Sequence, residues 1–315
     1  MSFMEIKDLR VHYPIRGGFF NTIVDYVHAV DGINMEFDKG KTYGLVGESG
    51  CGKSTTGKAI IGLEKITSGK IIYEGKDVTN QRRQRNSSYN RDIQMIFQDA
   101  HSSLNPRKRV QDILAEPIRN FLNLSDLEEK RKINELLAIV GMPEDAKVKY
   151  PHEFSGGQKQ RIGIARAIAT NPKLIIADEP VSALDLSVQA QVLNFLKDIQ
   201  AELGLSYLFI SHDLGVVKHM CDHISIMYKG RFVESGTKKD IYQNPQHIYT
   251  KRLLSAIPTI EPASRVERKV ERINVEKNYQ IENHQYFDAN GRVYDLQSIS
   301  DTHAVAKTVN KEGVM

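Results

Sequence analysis

The stretch Gly47-Glu48-Ser49-Gly50-Cys51-Gly52-Lys53-Ser54-Thr55 has the composition of a phosphate cradle. Glycines permit the tight turn that points successive backbone N–H groups at phosphate oxygens. Lys53 supplies a charge for the β- and γ-phosphates, and the Ser54 hydroxyl supplies a ligand for Mg²⁺. An apolar run, Tyr43 to Val46, precedes the loop as a strand would, and Thr55 to Ile61 follows it as a helix closed by Gly62. The start of that helix adds its positive end to the same pocket. These residues are expected to bind a nucleoside triphosphate.

Further polar groups sit at the ends of apolar segments. Leu174 to Ala177 is an unbroken apolar run, as expected of a strand buried on both faces, and it ends in Asp178-Glu179. Downstream of a phosphate loop, Asp178 is expected to hold Mg²⁺ and Glu179 to polarise a water for in-line attack on the γ-phosphate. Ser155-Gly156-Gly157-Gln158 opens a second helix that runs to about Thr170, and such a start also favours an anion. Tyr207 to Ile210 is another apolar strand, ending at Ser211-His212-Asp213.

The remaining elements form the frame. Met4 to Tyr13 and Ile33 to Phe37 read as strands, with Pro14 to Tyr26 between them as an exposed loop. Lys70 to Tyr73 and Ile93 to Phe97 are short strands, whereas Arg82 to Arg91 is a basic, solvated stretch without the aromatic platform nucleic acid would need. Ser125-Asp126-Leu127-Glu128 is a capping box, and Ile133, Leu136, Leu137 and Val140 continue it at helical spacing up to Gly141. Val188, Val192, Leu196, Ile199 and Leu203 line one face of a long helix capped by Gly204. Lys229-Gly230 joins two strands as a hairpin, and Asn290-Gly291 marks a second hairpin candidate. From Thr259 the chain becomes charged and weakly periodic.

Composition sets bounds. The 315 residues suffice for one large or two modest domains. A net charge of +4 suits an anionic ligand without demanding one. Two cysteines, Cys51 and Cys221, exclude a disulfide framework or a four-cysteine cluster and fit a reducing cytoplasm. Cys51, at a helix start, is expected to be a reactive thiol that nucleotide would protect. The first residues carry Glu5, Lys7 and Asp8, unlike a signal peptide, and no window approaches the ~18 apolar residues of a spanning helix. A membrane role is therefore expected to run through partners.

Taken in order, the phosphate loop, Gln98, Phe154-Ser155-Gly156-Gly157-Gln158, Asp178-Glu179 and His212 resemble the motif series of ABC transporter ATP-binding subunits. The likeness covers about Met4 to Gly236, with Phe154 standing where the signature usually has leucine. It implies an α/β fold, a RecA-like P-loop NTPase core with an antiparallel β subdomain and an inserted helical subdomain at about 99–170. The ATPase domain would be 1–258, with 259–315 a small C-terminal extension. It also implies a head-to-tail dimer enclosing two ATP molecules with Mg²⁺. Ser155 and Gly157 would contact the partner's nucleotide, with Ser182-Ala183-Leu184-Asp185 bridging the two sites. His212 would hold Glu179 and water in register, and Gln98 would sense γ-phosphate and Mg²⁺. Tyr13 is the choice for stacking on adenine, with Tyr26 the alternative.

Two segments narrow the family. Ser102-Ser103-Leu104-Asn105-Pro106-Arg107, after Phe97-Gln98-Asp99, and Asn244-Pro245-Gln246-His247-Ile248-Tyr249-Thr250, before Leu253 to Pro258, are similar to oligopeptide and dipeptide importers. The resemblance implies a sibling ATPase as partner, two transmembrane permease subunits, an external peptide-binding protein acting indirectly, no nucleic acid, and a peripheral place on the cytoplasmic face of the membrane. Uptake of oligopeptides is the expected function; import of another solute, such as a dipeptide, nickel or a metal chelate, and a non-transport ABC ATPase are the alternatives.

Overall fold

The structure is a computed structural model that describes residues 2–80, 88–99, 103–257 and 265–307. Most of the basic run (82–87), Ser102, residues 258–264 and the tail from 308 lie outside the described residues.

Five parallel strands form the centre: β3 (Thr42–Val46), β6 (Ile93–Ile96), β7 (Leu174–Asp178), β8 (Ser206–Ser211) and β9 (His223–Tyr228). Their order is β9-β3-β8-β7-β6, extended beyond β9 by the antiparallel strands β10 (Arg231–Thr237), β12 (Ala304–Ala306) and β11 (Leu296–Ser298). Side chains alternate across the sheet with the period of two that strands impose. Ile175, Ala177, Tyr207 and Phe209 join one buried cluster, and Leu174, Ile176, Leu208 and Ile210 join another. Every residue of β7 and β8 is buried, which is why both read as continuous apolar runs.

A second sheet, ordered β2-β1-β4-β5, packs over one of those clusters. It comprises β1 (Met4–Gly17), β2 (Thr22–Phe37), β4 (Ser68–Tyr73) and β5 (Lys76–Asp77). The expected loop from Pro14 to Tyr26 is instead strand on both sides, paired out to Gly17 opposite Thr22. Ile15, Ile23, Val24, Tyr26 and Val27 are all exposed there, so no buried face imposes an alternating pattern, and cross-strand hydrogen bonds decide the conformation.

Helices α1 (Lys53–Ile61), α3 (Val110–Phe121), α4 (Asp126–Ile139), α5 (Gly156–Ile168), α6 (Leu186–Leu203) and α7 (Leu214–Met220) connect or cover the strands, with a short α2 (Ser88–Asp92) before β6 and a short α8 (Lys238–Gln243) after β10. The capping box at α4 forms as expected, with Ser125 N–H donating to Glu128 at 2.8 Å. Gly62 and Gly204 close α1 and α6 in the left-handed conformation. The Lys229-Gly230 turn has φ of 44° and 82°, positive at both positions as a tight hairpin turn requires. The Asn290-Gly291 segment forms a turn closed by the single bridge Phe287 to Val293, not a full hairpin.

The charged run beyond Thr259 enters an 18-residue helix, α10 (Arg265–Glu282), which lies against α9 (Ile248–Ser255). Arg252 binds Glu276 at 3.0 Å and stacks over Tyr279. Deeper in, Glu234 is fully buried and accepts from the backbone N–H groups of Gln246 and His247, and from His303 at 2.7 Å. One carboxylate thereby ties the last strands to α9.

His247 is equally buried, its ring against Tyr286 and Phe287, its Nδ1 accepting from Tyr249 N–H at 3.1 Å. Burial, reinforced by the charge of Lys251, holds its imidazole down at about 3. The unfolded chain protonates this group near its ordinary value, so the unfolded state binds more protons below about pH 6.5. His247 therefore contributes stability that is complete above that pH and is lost as pH falls towards 3. In urea titrations, wild-type stability is expected to fall by up to about 1.4 kcal/mol more per pH unit than His247→Asn over this acid range; parallel curves would exclude this role.

Candidate nucleotide-binding site

Parallel strands put their carboxyl ends on one edge, and four of the five expected motifs leave from that edge. The phosphate loop follows β3, His212 follows β8, Asp178 ends β7 with Glu179 next, and Gln98 follows β6. Gly47, Glu48, Ser49, Gly50, Lys53, Ser54, Gln98, Glu179 and His212 consequently line one cleft, to which Leu253 of α9 adds an apolar wall.

The loop is built so that only glycine fits at two places. A Cβ at Gly47 would stand 2.2 Å from the Met227 carbonyl oxygen, and one at Gly52, where φ is 110°, would stand 2.0 Å from that of Ala29. Lys53 is buried and donates to the carbonyl oxygens of Gly47 and Glu48 at 2.8 and 2.9 Å, so its charge is held inside the loop by dipoles. Thr55, half-buried, lies in the first turn of α1, which starts at Lys53 and not at Thr55 as expected.

Ser54 Oγ donates to Asp178 Oδ1 at 2.8 Å. Burial pushes the Asp178 carboxyl up from its ordinary value, opposed by the Ser54 hydrogen bond and assisted by the charge of Glu179. A buried carboxylate beside a hydroxyl is a hard-oxygen pair with unspent charge, the donor chemistry that Mg²⁺ takes.

Glu179 sits at the centre of the cleft. Its Oε2 accepts from Gln98 Nε2 at 2.9 Å, and its Oε1 lies 3.1 Å from His212 Nδ1. Its backbone is in the left-handed region, with φ 46°, a strained setting for a residue with a Cβ. The Glu179 N–H donates to the Ile210 carbonyl at 2.9 Å, and the Glu179 carbonyl accepts from Ser182 N–H and Oγ, which fixes the turn. Gln98, Glu179 and His212 are thus brought together from three strands.

The signature residues occupy a different concavity. Ser155 caps α5 reciprocally: Gln158 N–H donates to Ser155 Oγ at 3.3 Å, and Gln158 Oε1 accepts from Ser155 N–H at 3.0 Å. Ser155, Gly156, Gly157 and Gln158 line a groove with Ala183, Leu184 and Asp185, and none of its lining residues belongs to the phosphate-loop cleft. Asp185, exposed, caps α6 without a side-chain hydrogen bond.

Tyr13 is partly exposed, and its hydroxyl interacts with Glu64 and Thr55, which puts its ring beside the start of α1. Tyr26 is more exposed and lies further along the hairpin, opposite Pro14. The expected reactive thiol is contradicted. Cys51 is buried under the loop, and burial raises its thiol against the lowering influence of Lys53. The helix start is outweighed by desolvation of a charge that would have no water.

One residue of the loop's support was missed in the sequence. Tyr249, fully buried, has its hydroxyl 3.2 Å from the backbone N–H of Glu48, which donates to it. The two residues are 201 positions apart, so no local spacing could reveal the contact. The only signal was that Ile248-Tyr249-Thr250 belongs to a segment singled out by family likeness.

Comparisons with known proteins accord with this geometry. The family model described as ABC transporter matches residues 30–182, and that described as oligopeptide/dipeptide transporter, C-terminal region, matches 233–287. The oligopeptide transport ATP-binding protein OppF of Lactococcus lactis (strain IL1403) is 57% identical over 311 residues, covering 99% of this chain and 98% of the relative. This chain belongs to the ABC transporter ATP-binding proteins, in the oligopeptide/dipeptide group. The dipeptide transport ATP-binding protein DppF of Escherichia coli (strain K12) is 49% identical, covering 84% of this chain and 79% of that one. Among solved structures, a dimeric ATP-binding cassette in a post-hydrolysis state bound to ADP and Pi superposes with a TM-score of 0.65 at 26% identity, over 75% of this chain and 98% of that one. The structure of cbiO1 from Clostridium perfringens, part of the ABC transporter complex cbiONQ, gives 0.66 at 27%, over 80% and 95%. The α/β NTPase fold and the ATPase activity follow from this membership.

Removing only the Tyr249 hydroxyl leaves the Glu48 N–H unpaired while keeping the ring. Tyr249→Phe is expected to weaken nucleotide binding about fivefold, the worth of one hydrogen bond, with little change in melting temperature. A fluorescent ATP analogue titrated into both proteins would measure it, and equal affinities would show that the contact does not order the loop.

Proposed function

We propose that this chain energises the import of oligopeptides, as a peripheral subunit at the cytoplasmic face of a membrane. It would act beneath two membrane-spanning permease subunits and beside a sibling ATPase, with an external peptide-binding protein delivering cargo. The observation that carries this reading is the near full-length match to an oligopeptide transport ATP-binding protein, which includes the C-terminal segment as well as the ATPase motifs. Among the described residues no helix is long and apolar enough to cross a membrane, which fits attachment through partners. Dipeptide import is the second reading, favoured by the likeness to DppF.

ATP would enter the phosphate-loop cleft with its phosphates on the loop's N–H groups and Lys53, and its base against Tyr13. Ser54, Asp178 and the amide oxygen of Gln98 would hold Mg²⁺, which supplies charge neutralisation at the phosphates. Glu179, oriented by Gln98 and His212, would take the position of general base towards an attacking water. Ser155, Gly156 and Gly157 of the partner would close the site, while Gln158 keeps the helix start capped. The Asp185 loop would sit between the two nucleotides. Helices α3 to α5, within the helical subdomain proposed for about 99–170, would carry closure to the permease, and the 259–315 extension would brace the phosphate loop through α9.

Glu179→Gln keeps the hydrogen-bonding shape but removes the base. Steady-state ATP hydrolysis by the assembled transporter is expected to fall by at least about a hundredfold, with nucleotide still bound. Hydrolysis near the wild-type rate would remove Glu179 from the mechanism. Lys53→Ala should instead lose affinity, by more than about tenfold, because a charge-assisted contact disappears along with the bonds that hold the loop's carbonyls. For the physiological reading, cells lacking this gene product and complemented by the wild-type chain should take up labelled oligopeptides, whereas Glu179→Gln should not restore uptake. Restored uptake of a different solute class alone would replace oligopeptide import.

A further inference from the structure

A cluster of metal-ligand side chains lies at the base of the β1–β2 hairpin, apart from the cleft. His12 and His28 are cross-strand partners with ring centroids 4.0 Å apart, and Asp31 follows on the same strand as His28. One ring nitrogen from each histidine and one Asp31 oxygen all lie within 4.8 Å of one another. His12 Nε2 and Asp31 Oδ1 are 3.7 Å apart, too far for a hydrogen bond, and both atoms are buried without a hydrogen-bond partner. Buried polar atoms are normally satisfied, so two orphans facing each other call for a missing third party.

The surroundings hold this arrangement in place. Asp31 is 4% exposed, and its other oxygen, Oδ2, accepts from Arg292 at 2.8 Å and Arg231 at 3.3 Å. Those bonds orient the carboxylate and leave Oδ1 for the imidazoles. The rival for Oδ1 is Arg10, 3.6 Å away, but Arg10 is already engaged by Asp8 at 3.0 Å. Arg231 is likewise paired with Asp295. Three guanidinium groups are thus matched by three carboxylates, and a cation would meet no excess of positive charge. Burial lowers the His12 imidazole below its ordinary value, against the raising influence of Asp31, which favours the neutral form that ligates.

We propose that His12, His28 and Asp31 form a binding site for a divalent transition metal of the zinc class. Two imidazoles and a carboxylate suit such an ion and are poor ligands for Mg²⁺, which separates this site from the nucleotide cleft. Tetrahedral bonds of about 2.0–2.1 Å set ligand atoms roughly 3.3 Å apart, so the His12–Asp31 pair needs to close by only a few tenths of an ångström. His28 is exposed and gives access from solvent, with water as the fourth ligand. A bound ion would cross-link β1 to β2 one residue from Tyr13, whose strand partner is Val27.

The test uses full-length protein freed of metal and titrated with Zn²⁺ against a chromophoric chelator, in parallel with His28→Ala and a control, His284→Ala, at another exposed histidine. Wild type and control are expected to take up one equivalent at micromolar affinity or tighter, and His28→Ala to bind at least tenfold more weakly. Co²⁺ in place of Zn²⁺ should give the intense visible absorption of tetrahedral nitrogen-oxygen ligation, absent from His28→Ala. Failure of the wild type to bind stoichiometrically, or equal binding by His28→Ala, overturns the site.

Discussion

Parallel strand direction is the constraint on which the cleft depends. Because β3, β8, β7 and β6 run the same way and lie side by side, the residues leaving their carboxyl ends share one edge, although they are far apart in sequence. The polar groups then order themselves. Glu179 is clasped by Gln98 and His212, Asp178 by Ser54, and Lys53 by the loop it belongs to. Each group that would act on a triphosphate is oriented beforehand, which is where electrostatic catalysis gains its advantage. The strained backbone at Glu179 fits the same pattern, since such strain persists only where surrounding bonds over-determine it.

The same topology divides the chemistry. Ser155 and its neighbours begin α5, the helix that precedes β7 in the chain, and their groove shares no residue with the phosphate-loop cleft. Under the proposed head-to-tail pairing, each of these faces would be half of a site that the partner completes. Beyond this core, the C-terminal region does more than trail behind. Glu234 and His303 lock it to the sheet edge, β11 and β12 prolong that sheet, and Tyr249 reaches the phosphate loop itself.

Much of this was legible in the sequence because the motifs report local rules. A glycine-rich turn between strand and helix, an apolar run ending in acids, and a serine three residues before glutamine each specify a backbone geometry by themselves. The long hairpin was not legible, since exposed Ile15, Ile23 and Val24 remove the alternation that marks a strand. The hydroxyl of Tyr249 and the His12, His28 and Asp31 cluster were hidden for another reason: both arise from tertiary pairing, and neither tyrosine nor scattered histidines announce a partner. Cys51 misled because helix polarity was visible in the sequence and its burial was not.

In the proposed dimer, this chain's signature groove would complete its partner's site and not its own. The direct measurement is photolabelling of the assembled transporter with an azido-ATP, comparing wild type with Ser155→Arg in this chain alone. Loss of label on the partner ATPase, with label retained here, is the predicted result. Label lost from this chain and kept on the partner would contradict it.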